Sequence, residues 1–150
     1  MYIKTKIDKK KYIFLGDTDS INIEIILNSY LFLKNKLKFI IICNKYELES
    51  YIKRLKFDIK VNIIFDPISF NSYDDNCINI FDINNKYKEK YKNLLNQLNI
   101  SNQLSKSTGF DLVTMPIDKS IFKKKINFTG ITEYLGKINK TNTAMLMYGD

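Results

Sequence analysis

The apolar and polar positions divide the chain into short strands and amphipathic helices. "KYIFLG", residues 11–16, reads as a first strand closed by Gly16 and Asp17. In "SINIEIILNSYLFLKNK", residues 20–36, Ile26, Tyr30 and Leu33 recur at helical spacing behind Ser20, a candidate N-cap. "KFIIIC" is a continuous run of β-branched and aromatic residues, which suits a strand buried on both faces. "KYELESYIKRL" predicts a second helix, with Tyr46, Leu48, Ile52 and Leu55 available for packing. "KVNIIFD" predicts a third strand stopped by Asp66-Pro67, and residues 68–81 read as a loop with one weak strand in "CINIF". "KYKEKYKNLLNQLNISNQL" predicts a helix with charged and apolar faces, and "FDLVTMP" a strand ended by Pro116. A short helix in "DKSIFKK", a helix opening near Thr132 and a last strand in "TAMLMYG" complete the chain.

Strands alternating with helices predict an α/β fold around a mostly parallel sheet. The length of 150 residues suggests one domain, 1–150. Sites in such sheets form beyond the carboxyl ends of the strands. Two polar motifs lie there: "GDTDS" after the first strand and "TMPIDK" after the strand beginning near Asp111.

Composition narrows the chemistry. At 45% hydrophobic, with 5 Gly and 2 Pro, the chain can build a core and is not of disordered type. No apolar run approaches the ~18 residues of a membrane span. The apolar run near the N-terminus is too short for a signal peptide, so a cytoplasmic protein is expected. Cys43 and Cys77 match no zinc motif and read as two reduced thiols on or near strands. The net charge of +8 invites a nucleic-acid partner. That reading is set aside: Lys, Asn, Ile and Tyr are abundant throughout, as in an AT-biased genome, and the lysines are spread along the chain. Histidine is absent, so any mechanism must use Asp, Glu, Lys, Tyr, Cys or Thr.

The polar motifs resemble those of the 4-hydroxythreonine-4-phosphate dehydrogenase family of pyridoxal phosphate (vitamin B6) biosynthesis. Against the family pattern G-D-P-A-G-I-G-P-E, Gly16, Asp17, Ile21 and Glu24 match. Against T-x-P-I-N-K, Thr114, Pro116, Ile117 and Lys119 match, with Asp118 in place of Asn. Against F-x-G-H-T-E-x-L, Phe128, Gly130, Thr132, Glu133 and Leu135 match, but Ile131 stands at the histidine position. The resemblance implies the N-terminal part of a longer, isocitrate dehydrogenase-like fold, and hence a truncated family-like domain. It also implies kinship with enzymes that oxidise and decarboxylate 4-phosphooxythreonine using NAD(P) and a divalent metal.

Carried over residue by residue, the resemblance gives Thr132 a substrate contact and Lys119 a weaker attraction for a substrate phosphate. Gly16, Asp17, Thr114, Pro116, Gly130 and Glu133 become the framework of the site motif. Each has a plainer reading. Thr132 would serve equally as the N-cap of its helix, Glu133 as a first-turn charge, Asp17 as a turn-former, and Lys119 as a solvated surface lysine. No catalytic residue is assigned, because Ile131 cannot make the hydrogen bond of a histidine, and no metal ligand is assigned, because the resemblance implies metal-binding histidines that this sequence lacks. No cofactor is expected for this chain alone. The expected partners are a second copy, joined through an open sheet edge, or a missing C-terminal half. The alternative to an enzyme is a non-catalytic remnant or self-associating binding module.

Overall fold

The computed structural model describes residues 10–33 and 36–147. They fall into two compact units, one ending at Ile117 and the other beginning at Asp118.

The first unit is a five-stranded sheet with helices on both faces. Its strands are β1 (Lys10–Phe14), β2 (Lys38–Cys43), β3 (Val61–Ile63), β4 (Ile78–Asp82) and β5 (Asp111–Thr114). The order is β3-β4-β2-β1-β5, and every pairing is parallel. The helices are α1 (Asn22–Leu33), α2 (Lys45–Arg54) and α3 (Lys90–Thr108). The expected α/β architecture is therefore present.

β2 shows why its sequence is apolar without interruption. Phe39, Ile41 and Cys43 face a core shared with Ile23, Ile26 and Leu27 of α1 and Leu48 and Ile52 of α2. Ile40 and Ile42 face the opposite core, which holds Tyr12, Phe70 and Ile83 with Ile100 and Leu104 of α3 beside them. A strand covered on both faces has no solvent side to require a polar residue. Burying each such isoleucine contributes about 1.5–3 kcal/mol.

Several sequence expectations need correction. Tyr46 is 74% exposed and Leu55 37% exposed, so α2 packs through Leu48 and Ile52, with the partly buried Tyr51 beside them. The weak strand in "CINIF" is β4, a central strand. Its alternation is broken by the buried Asn79, whose amide accepts from Asn62 Nδ2 at 2.7 Å and donates to the carbonyls of Asp74 and Cys77. α3 begins at Lys90 rather than Lys86 because Asn93 Oδ1 accepts from the Tyr87 amide and Nδ2 donates to the Tyr87 carbonyl. Those bonds hold the preceding segment in a closed loop. Cys43 ends β2 and Cys77 precedes β4, both as free thiols, and burial pushes both thiol pKa values up.

The second unit contains a 3-10 turn, Lys119–Phe122, and α4, Ile131–Asn139. Phe122 is buried and stacks on Phe128 at 4.2 Å between ring centroids, and Phe128 contacts Tyr134. The strand expected in "TAMLMYG" does not form among the described residues. Residues 143–147 join no ladder, and Met145, Leu146 and Met147 are 71%, 95% and 86% exposed; the rest of that run lies outside the described residues. An apolar run becomes a strand only when a neighbour supplies the ladder, and among the described residues this unit contains no strand to do so.

Candidate functional site

The chain leaves β1 through Leu15 and turns at Gly16, where φ is +74°. Only glycine adopts that angle at no steric cost. The turn is also tight: a Cβ at Gly16 would lie 2.8 Å from the Pro116 carbonyl oxygen and 3.2 Å from that of Met115. Asn22, 2% exposed at the start of α1, closes the turn. Its Nδ2 donates to the carbonyls of Leu15, Asp17 and Pro116 at 3.1, 3.4 and 2.7 Å. The β1–α1 loop is thereby tied to the segment that follows β5. Ser20 Oγ donates to the Asp17 carbonyl and accepts from the Asn22 amide; the residue before α1 is Ile21, so the N-cap reading of Ser20 is corrected by one position and its hydroxyl braces the turn leading into the helix. β5 ends at Thr114, and Met115 N donates to Phe14 O at 3.0 Å. Gly16, Asp17, Thr114 and Pro116 therefore come together, as the two motifs predict. The side chains of Thr114 and Pro116 are exposed.

Asp17 is 5% exposed, and Oδ1 accepts from the Asp19 amide at 3.0 Å. Lys90, at the first position of α3, sets its ammonium 2.6 Å from Asp17 Oδ1 and 2.6 Å from Asp19 Oδ2. The Lys90 hydrogen bond and charge hold the Asp19 carboxyl below its usual range. Burial works against the charge on Lys90, but its bonds to Asp17 and Asp19 outweigh that and raise its pKa. The turn-forming reading of Asp17 is thus correct, and its charge is already matched. Lys90 was not foreseen. It lies 71 residues from Asp19, and no local pattern links the two.

In the second unit, Gly130 precedes α4 and Thr132 is the second residue of that helix. No side chain caps this end. The N-cap reading of Thr132 is therefore corrected: an N-cap hydroxyl must come from the residue before the helix, and that residue is Gly130. Glu133 is the first-turn acid, as its plainer reading holds. Its Oε2 would lie 2.5 Å from a Cβ on Gly130, with Lys119 Nζ 3.7 Å from the same point. Gly130, Glu133 and Lys119 are thus neighbours. Asp118, which departs from the family pattern, caps the 3-10 turn by accepting from Ser120 N at 2.8 Å.

The donor set does not fit a catalytic metal. The sequence has no histidine, and among the described residues no three Cys, Asp or Glu side chains gather to hold an ion. Asp17 and Asp19 share the Lys90 ammonium as their ion-pair partner. Nor does Gly16 open a phosphate-binding nest, since the Pro116 carbonyl fills the space a ligand would approach.

On the other side of the β1–α1 loop lies a cleft of about 350 Å³, walled by α2, α3 and the segment after β4. Its lining includes Thr18, Glu47, Tyr51, Ile83, Lys88 and Gln97. It too was not foreseen. The available signal was Gln97, a polar residue on the helical face that carries Leu94 and Leu98.

This all-parallel sheet, with helices on both faces and polar motifs at the carboxyl ends of adjacent strands, is the architecture of a doubly wound α/β domain. Comparison with solved structures specifies the fold. The chain is similar to 4-hydroxythreonine-4-phosphate dehydrogenases from Burkholderia phymatum and Klebsiella pneumoniae, with TM-scores of 0.71 and 0.72. It is also similar to a Salmonella typhimurium protein assigned as the same enzyme, with a TM-score of 0.75. Identity is 17% in each case, over 89%, 89% and 94% of this chain. The chain spans less than half of theirs: 44%, 45% and 48%. These likenesses establish the fold. No protein-family model and no curated protein matches the sequence. Among the described residues no helix is long and apolar enough to cross a membrane.

Proposed function

We propose that this chain is a divergent 4-hydroxythreonine-4-phosphate dehydrogenase-like domain, kin to vitamin B6 biosynthesis, that binds a phosphorylated small molecule but does not by itself catalyse its oxidation. The observation that carries the reading is the placement of the two family-like motifs. They follow β1 and β5, adjacent parallel strands whose ends lie side by side. The fold likeness supports the same reading. Thr132 and Lys119 are the ligand-binding groups in this view. Among the described residues the Thr132 hydroxyl makes no hydrogen bond and Lys119 no ion pair, so both are available to a ligand. An ammonium attracts phosphate as a point charge, and a hydroxyl can both donate to it and accept. NAD(P) and metal belong to the family reaction, but the donor set here does not fit the metal.

Two measurements on the same sample test this. Calorimetric titration with 4-phosphooxythreonine should show saturable binding that Thr132→Ala weakens, and absence of binding would remove the ligand assignment. NADH formation from that compound, with NAD and a divalent metal present, should not occur. Turnover would overturn the non-catalytic part.

A further inference from the structure

The outward face of α1 is apolar where a surface helix is ordinarily charged. Ile21, just before the helix, and then Glu24, Ile25, Asn28, Ser29 and Phe32 are exposed, and their spacing of three and four sets them on one stripe. Ile21 is 67% and Phe32 79% exposed. Glu24 is the one charged residue of α1, in a chain that is 27% charged overall. The inward face is apolar as well, with Ile23, Ile26 and Leu27 in the core. A helix that is apolar on all sides is ordinarily covered on all sides, and a contiguous apolar patch left in the open marks an interaction surface.

The shape and charge of the stripe select a second copy of the chain. A hollow of about 400 Å³ opens over Asn28, Ser29, Phe32 and Leu33. Phe32 is therefore both a wall of the hollow and the most exposed ring beside it. When one α1 is laid antiparallel on another, each Phe32 enters the hollow of the other copy and the two rings meet at the two-fold axis. An isologous interface requires that reciprocity. The charges favour the same orientation. Glu24 stands in the first turn, and Lys36, just past the helix, holds its Nζ 5.7 Å from the Phe32 ring centroid, on the same face. Antiparallel packing brings Glu24 of each copy toward Lys36 of the other, whereas parallel packing would set like charges side by side. We infer that α1 is a self-association surface on which two copies pair antiparallel, with Phe32 seated reciprocally and Glu24 matched to Lys36 across the interface. The surface is separate from the edge of β5, and the inference rests neither on the dehydrogenase reading nor on Thr132 and Lys119.

Sedimentation equilibrium of the full chain, reduced and at several concentrations, tests this. A monomer–dimer equilibrium is expected, with a dissociation constant of about 10–100 μM, as suits a small interface. Phe32→Asp changes an exposed side chain, so the fold should survive, while association weakens about tenfold or more. Glu24→Lys and Lys36→Glu should each weaken self-association about threefold to tenfold, since each variant opposes like charges twice. An equimolar mixture of the two should associate as tightly as the parent, because a mixed dimer again pairs opposite charges at both positions. Three outcomes would overturn the proposal: a monomeric parent up to about 1 mM, a dimer that Phe32→Asp leaves unchanged, or a mixture of the two charge variants that associates no more tightly than either alone. The first would assign the stripe to a different occupant, and the second would place association on another surface.

Discussion

Residues 16–24 match their family pattern at four of nine positions and residues 128–135 match theirs at five of six fixed positions, but the protein uses the two runs differently. In the first run, Gly16 fits a turn with no room for a Cβ, Asn22 ties three carbonyls, and Asp17 pairs with Lys90. Packing alone accounts for what is retained there. In the second run, no side chain caps α4, and Gly130 meets only the mobile end of Glu133 on the nearer side. The Thr132 hydroxyl serves no structural bond among the described residues. A match that the fold explains is weak evidence of a ligand. A match that the fold does not use is the better pointer to function.

Glycine substitutions give the largest test of that contrast. Gly16→Ala should destabilise the protein by roughly 2–4 kcal/mol, because it combines a left-handed φ with a clash against backbone that cannot swing away. Gly109 also has φ +74° but nothing within 4 Å of a built Cβ. Gly109→Ala should therefore cost only about 1 kcal/mol, the conformational part. Gly130 has an extended backbone, with φ at 176°. Gly130→Ala should stay within about 0.5 kcal/mol once the Glu133 side chain moves aside. Urea unfolding of the three variants orders them. Equal losses at Gly16 and Gly130 would erase the distinction between the two runs.

The ion triad offers a subtler probe. The folded-state pKa of Asp19 is lowered, so its stabilising contribution is complete above its ordinary value and is lost as pH falls through the lower folded one. The folded-state pKa of Lys90 is raised, so its contribution is complete below its ordinary value and is lost as pH rises through the higher one. Lys90→Met removes both. The stability difference between parent and variant should be flat from about pH 5 to 10 and should shrink beyond each end. A difference unchanged down to about pH 2 would mean that the triad does not couple to folding.

The parts of the fold that were legible in the sequence were those written in continuous apolar runs. β2 was bounded correctly because both of its faces are buried. β4 was read weakly because a buried amide stands in mid-strand, and its satisfaction depends on Asn62 and Asp74, which no periodicity reveals. "TAMLMYG" has strand composition, yet a strand also needs a partner ladder, which is a property of the surroundings. The site was half legible for the same reason. Gly16, Asp17 and Pro116 announced themselves as turn residues at strand ends. Lys90 and Gln97 sit on a helix whose register over the sheet only the fold determines.

The smallest expected effects fall on the second run. Thr132→Ala should leave stability unchanged within about 0.5 kcal/mol, since no described bond depends on the hydroxyl, while it weakens binding of 4-phosphooxythreonine. Ile131→His restores the most visible departure from the family pattern, and it should restore no dehydrogenase activity. The imidazole would supply one hydrogen-bonding ring at the start of α4. It would not supply a donor set for the metal, because no cluster of carboxylates or thiols stands ready among the described residues. Losing a single electrostatic stabiliser of developing charge commonly costs ~10²–10³ in rate, and the metal is the larger one. Neither would it orient a hydride acceptor, so the advantage of holding reactants in line is also forgone. The parent and Ile131→His should therefore be indistinguishable in NADH formation with metal present. Turnover by the variant alone would show that one histidine is all the second run lacks, and that a metal binds despite this donor set.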